Sequence, residues 1–174
     1  MAFLTAAAAI YLIACFGLAS AAKLRNFEGF ASAIAEVTPF MPARSTAAFI
    51  VGVEAVVVVG TGAGLATGSS GWLGLGAMLA MCSAITFAIV VFMVLVRGDA
   101  VACRCFGAND GAITVASLIG PAMIAATGAV VWAAYVPPDN PAVWIASAAA
   151  GFYALIAHLL ISRIAGRQSE AVPH

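Results

Sequence analysis

Cys103-Arg104-Cys105-Phe106-Gly107 is the segment of this chain best suited to chemistry. Two thiols one residue apart can close a small, strained disulfide or bind a soft metal, and Arg104 between them favours the thiolates by its charge. Strained, exposed disulfides are the labile ones used in exchange, and Gly107 permits a backbone turn that a side chain would forbid. The plainer alternative is a pair of small cysteines stored in a loop, although a loop is a poor place to keep unreactive thiols. Glu54 is the second candidate. It interrupts the apolar run Ala47–Ala66 near its middle, where burying a charge costs at least about 2.5 kcal/mol. Something must compensate it: a proton-relay role, hydrogen bonding to a bound quinone, or an interhelical clasp to Thr86 or Ser83.

The remaining reactive side chains carry less. Cys15 and Cys82 fall within apolar runs at depths that differ by about 10 Å, too far apart for a disulfide, and each suits a small buried hydrophobe. A four-ligand zinc site is disfavoured because the cysteines sit at three depths with no histidine near the loop pair. His158 reads as a hydrogen-bonded helix residue, and Lys23 and Arg25 as membrane-interface anchors, with Lys23 also able to supply positive charge near the thiols.

The elements that must position these groups follow from composition. Of the 174 residues 64% are hydrophobic and 8% charged, whereas a soluble domain is about 25% charged; a water-facing surface cannot be built from this list, which excludes a soluble enzyme. Seven Lys+Arg balance seven Asp+Glu, so no basic surplus exists to neutralise phosphates, and nucleic acid is not an expected partner. Five apolar runs approach the length of about 20 residues that a bilayer demands: Ala2–Ala22, Ala47–Ala66, Trp72–Val96, Ile113–Val136 and Ala142–Ile161. Within hydrocarbon such runs satisfy their backbone only as helices. Ala2–Ala22 reads as a span and not as a secretory signal, because Met1-Ala2-Phe3 carries no positive charge and the run exceeds a signal's apolar core.

The expected fold is therefore all-α: an integral membrane helical bundle of five transmembrane helices, a four-helix core plus one, with a single domain over residues 1–165 and a polar tail over 166–174. Phe27, Phe30, Ala31, Ile34 and Val37 alternate with Asn26, Glu28 and Glu36 at helical spacing and stop at Pro39 and Pro42. This predicts a short amphipathic helix after the first span, lying on the membrane surface or packed as a linker. Gly60, Gly64 and Gly68, four apart, would let another helix approach closely. Lys23, Arg25, Arg44, Arg97, Arg104, Arg163 and Arg167 all fall on one side when the spans alternate. The positive-inside rule then places the N-terminus outside and the C-terminus in the cytoplasm of a bacterial inner membrane.

Several of these features combine into a family pattern. Lys23 closing the first span, Phe27 and Phe30 in a short helix running to Pro39, Glu54 within the second span, then Arg97-Gly98 and Cys103-Arg104-Cys105-Phe106-Gly107 resemble the MauE/DoxX group of membrane proteins. The MauE branch, accessory to methylamine dehydrogenase biogenesis, is the nearer of the two, and the resemblance covers about residues 1 to 135. It implies a redox-associated membrane protein that acts with a thioredoxin-like partner to form or maintain disulfides in exported proteins. Arg104 departs from the small residue usual between the family's cysteines. The resemblance implies chemistry outside the cytoplasm, whereas charge places Cys103 and Cys105 inside.

Two functions are compatible with this reading. In the first, the protein is a thiol relay in which Cys103 and Cys105 cycle between dithiol and disulfide, Arg104 favours thiolate, and Glu54 manages a proton or holds a quinone. In the second, it is a noncatalytic integral subunit that packs into a larger respiratory or dehydrogenase complex through its Ala- and Gly-rich faces. Soft-metal binding by the thiol pair would need a further ligand from another chain.

Overall fold

The computed structural model describes residues 2–97, 115–134 and 150–151. Its elements are α1 (Ala2–Arg25), α2 (Phe27–Val37), α3 (Ala43–Thr67), α4 (Ser70–Arg97), a 3-10 turn (Val115–Leu118) and α5 (Ile119–Ala134). α1, α3 and α4 outrun the apolar stretches that announce them. α1 continues through Lys23 to Arg25, since both basic residues are good helix formers and complement the negative end of the helix dipole. α3 begins at Ala43, four residues before the apolar run, because polar residues in a first turn cost little once Pro42 has set the entry.

The helix ends are set by local chemistry. The Asn26 side chain accepts a hydrogen bond from Gly29 N at 3.3 Å and so starts α2. Thr38 closes that helix by donating its backbone N–H to Ile34 O at 2.8 Å, and Pro39 cannot continue it. α3 stops at Gly68, the one residue with positive φ among those described, at φ 66°. Glycine adopts that left-handed conformation without penalty, so α4 starts two residues later and runs back alongside α3. The predicted span Ile113–Val136 starts differently: within its described part a 3-10 turn precedes α5. Pro121 is the third residue of α5; a regular helix extended further toward the N-terminus would set its ring against the carbonyl four residues earlier.

α1, α3, α4 and α5 form an up-down-up-down ring. α1 packs on α3, α3 on α4, α4 on α5, and α5 returns to α1, while α1 and α4 barely meet across the diagonal. The centre is filled by Leu12, Val57, Leu73 and Val131, with Tyr11, Cys15 and Phe16 of α1 beside them. α3 and α4 approach most closely where side chains are missing. A methyl group added at Gly64 would lie 2.5 Å from Leu73 Cγ and 2.7 Å from Leu73 N, and one added at Gly76 would lie 2.9 Å from Thr61 N. Gly60 and Gly64 thus make the close approach expected of them, whereas Gly68 makes the turn.

The outer surface is as apolar as the interior. Phe49, Val59, Phe92 and Trp132 are all more than 60% exposed, which in water would be a continuous aggregation surface and in a bilayer is the lipid contact. Three helices among the described residues, α1, α3 and α4, are long and apolar enough to cross a membrane. α5 has 16 described residues. Of the fifth predicted span, Ala142–Ile161, the described part is the helical pair Ala150 and Gly151, and Gly151 lies against Ala7 and Ile10 of α1. That contact places this point of the chain on the bundle.

α2 is the predicted amphipathic helix, and its apolar face is spent on protein. Phe30 and Ala31 are buried against Ala47 and Val51 of α3, with Phe27 and Ile34 at the margin. Outside, Arg44 grips Glu28 with two hydrogen bonds, Nη2 to Oε1 at 2.9 Å and Nε to Oε2 at 3.3 Å. This pair is exposed on both sides and contributes about 1 kcal/mol or less. Hydrophobic contact therefore does most of the docking of α2.

Candidate functional site

Burial of charge marks one place in the described bundle. Glu54 and Lys23 are each 7% exposed, and the other buried residues among those described are nearly all apolar. The two meet in an ion pair between Lys23 Nζ and Glu54 Oε1. Ser20 donates its hydroxyl to the second carboxylate oxygen, Oε2, at 3.1 Å. Ser20 and Lys23 are three residues apart on α1 and therefore on one face of it, so the carboxylate takes one donor from each of two successive turns. The ammonium also lies 5.3 Å from the centroid of the Phe30 ring, within cation–π range. α1, α3 and α2 each contribute to the cluster.

A stagger of the helices explains how such a pair persists. Glu54 is the twelfth residue of the 25 in α3, so it lies near the middle of that helix. Its partner Ser20 is only five residues, about 8 Å, from the end of α1 at Arg25. α3 thus runs past the end of α1, and α2 folds back to cover that overhang. The Glu54 carboxylate is enclosed by protein, while Lys23 has a long stem rooted two residues from a helix end.

The compensation that Glu54 requires comes from α1. Thr86 and Ser83 of α4, named from sequence as examples of clasp partners beside the proton-relay and quinone alternatives, do not supply it: Thr86 is exposed and donates its hydroxyl to Cys82 O at 2.9 Å, and Glu54 meets its partners on the side of α3 that faces α1. Lys23 is correspondingly more than an interface anchor. Ser20 carried no signal of its own, since a serine in a small-residue helix is unremarkable in composition. The signal available was a lone acid in one run and a base closing the run before it.

About two turns inward from Lys23 on α1, Cys15 is 1% exposed, shares a hydrogen bond with Tyr11 and lies within electrostatic range of Lys23 and Glu54. Cys15 and Cys82 are both free thiols, the first buried and the second exposed. Cys103, Arg104 and Cys105, the sequence's leading candidates, lie outside the described residues, as do His158 and the tail 166–174. Among the described residues no group of three or more His, Cys, Asp or Glu could hold a metal ion.

A groove of about 230 Å³ runs between α4 and α5, lined by Ala84, Ile85, Ala88, Leu118, Pro121, Ala122 and Ala125. These side chains can accept hydrocarbon, including the tail of a quinone, but none can donate a hydrogen bond to a quinone carbonyl.

Compared with known families, residues 1–135 match the one described as methylamine utilisation protein MauE. No curated protein and no solved structure matches the chain.

Proposed function

From the premise that this chain belongs to the methylamine utilisation protein MauE family, we propose that it is a membrane thiol-disulfide accessory protein acting through Cys103 and Cys105. The observation that carries the reading is the pair of thiols, separated by Arg104 alone, a few residues beyond the end of α4 in a chain of which only 8% is charged. One thiolate attacks a disulfide of a thioredoxin-like partner or client, forming a mixed disulfide and expelling the partner's second sulfur as thiolate. The other cysteine then attacks the Cys103 or Cys105 sulfur of that intermediate. The intrachain disulfide closes and the partner leaves reduced, two electrons having moved to it. Run in reverse, the same steps oxidise a dithiol client. Arg104 stabilises the thiolate in either direction.

Within this proposal Glu54 is a positioning residue. Its carboxylate is engaged by Lys23 and Ser20, which favours an interhelical clasp over a proton carrier or a quinone ligand. The clasp ties α1 to α3 and, through Phe30, to α2, and so holds the bundle that carries the thiol segment.

The test is redox-dependent alkylation of the protein in its membrane. Cys103 and Cys105 should resist a maleimide reagent after oxidation and react after treatment with a dithiol reductant, and of the single variants Cys103→Ser and Cys105→Ser the one that removes the resolving thiol should trap a mixed disulfide with the partner. Equal modification of both cysteines under every redox condition would rule out the relay. Full function of the host methylamine system with Cys103→Ser and Cys105→Ser combined would instead favour the noncatalytic subunit, which the small-residue helix faces also suit.

A further inference from the structure

The most exposed large apolar side chain among the described residues lies outside every helix. Phe40 is 78% exposed and its neighbour Met41 50%, at the tip of the connection between α2 and α3. The tip is stiff: Met41 N donates to Thr38 O at 3.1 Å, which closes a tight turn with Pro39 at its second position, where proline's fixed φ is favoured. Pro42 then locks the exit into α3. A flexible loop would fold two such side chains back onto protein; this one holds them outward.

The surroundings identify what covers them. The tip lies at the end of the bundle where α1 finishes, α3 starts and α4 finishes, the end that carries Arg25, Arg44 and Arg97. Among the described residues the ion pairs are Lys23–Glu54 and Arg44–Glu28, and Arg25 and Arg97 add two further basic groups at this end of the bundle, of the kind that meets lipid phosphates. Phe49, 72% exposed, continues the apolar surface about 10 Å further along α3, on the face that the membrane-spanning part of that helix gives to lipid. Basic residues beside an outward apolar tip, continuous with a lipid-facing helix, are the composition of a membrane interface.

We propose that the Pro39–Pro42 turn is a membrane-inserted wedge: Phe40 and Met41 enter the glycerol and upper acyl layer of the leaflet at the basic end of the bundle, and the partner of this surface is phospholipid. This defines a lipid contact separate from the spans and independent of any thiol chemistry. It also gives α2 a second anchor besides its packing on α3. The wedge holds the cover of the Lys23–Glu54 pair against the bilayer.

The experiment uses the full chain in phosphatidylethanolamine/phosphatidylglycerol vesicles. Phe40→Trp and, as a second reporter, Met41→Trp are each compared with the parent protein, whose three native tryptophans are subtracted. Lipids brominated in the upper acyl chain should quench the added emission about twofold or more, and more strongly than lipids brominated near the chain end, while aqueous acrylamide quenches it little. Ready quenching by acrylamide would place the tip in water and overturn the proposal. Protection from both acrylamide and brominated lipid would show that protein covers the tip, a second copy or a partner, and would overturn it equally.

Discussion

Removing either member of the Lys23–Glu54 pair should not be equivalent, and the difference follows from where each side chain is rooted. Lys23→Met leaves the Glu54 carboxylate enclosed by protein with Ser20 as its remaining donor among the described residues. Breaking a buried pair from one side costs about 3–5 kcal/mol, because the surviving charge is stranded. Glu54→Gln strands Lys23 instead, but that residue is two positions from the end of α1 and its stem is long enough to carry the ammonium to the interface. The expected loss is smaller, about 1–3 kcal/mol. The double variant Lys23→Met, Glu54→Gln strands nothing and should lose less than Lys23→Met alone, a coupling of about 2 kcal/mol or more. The assay is unfolding in mixed micelles at increasing SDS fraction, followed by helical circular dichroism, for the parent and the three variants. If the two single losses add to within about 0.5 kcal/mol, the groups do not interact and the argument for the clasp fails.

Other substitutions probe the rest of the same framework. Ser20→Ala removes a hydrogen bond to an ionised carboxylate and should cost about 1.5–3 kcal/mol in that unfolding assay; no change would show the Ser20–Glu54 contact to be idle. Gly64→Ala drives a methyl into the Leu73 backbone and side chain and should cost about 1–3 kcal/mol. Gly62→Ala, two residues away with nothing within 4 Å of the added carbon, should be neutral or stabilise α3 by up to about 1 kcal/mol; equal effects from the two would refute the tight α3–α4 contact. The Thr61 hydroxyl is buried without a hydrogen-bond partner among the described residues. Thr61→Val should therefore leave the unfolding midpoint unchanged or raise it, and a clear fall would reveal a partner for that oxygen.

The candidate site was only half legible in the chain. That Glu54 needs a partner follows from the cost of a carboxylate in hydrocarbon, whatever the fold. Which residue answers it does not follow, because Thr86, Ser83 and Lys23 all belong to helices that can be drawn beside α3, and which face meets which neighbour depends on rotations no local pattern reports. The helices here are apolar all round, so the sided hydrophobic stripe that orients a helix in a soluble protein is missing. α2 shows the converse: its stripe of Phe27, Phe30, Ala31 and Ile34 marks one face clearly, and that face is the one buried on α3.

Composition and run length by themselves determined that this is a helical membrane protein, because continuous apolar runs of about 20 residues satisfy their backbone in a bilayer as helices, whereas the strands of a barrel are about half as long and alternate in polarity. The helix ends at Asn26, Pro39 and Gly68 are equally local, set by side-chain capping, by a missing N–H and by a left-handed φ. Tertiary structure decided the stagger of α1 against α3, and with it the pairing of Lys23 and Ser20 with Glu54. A difference of a few residues in register moves a side chain by a whole turn, and only the packing of the complete ring, with glycines at the closest approach, selects one register.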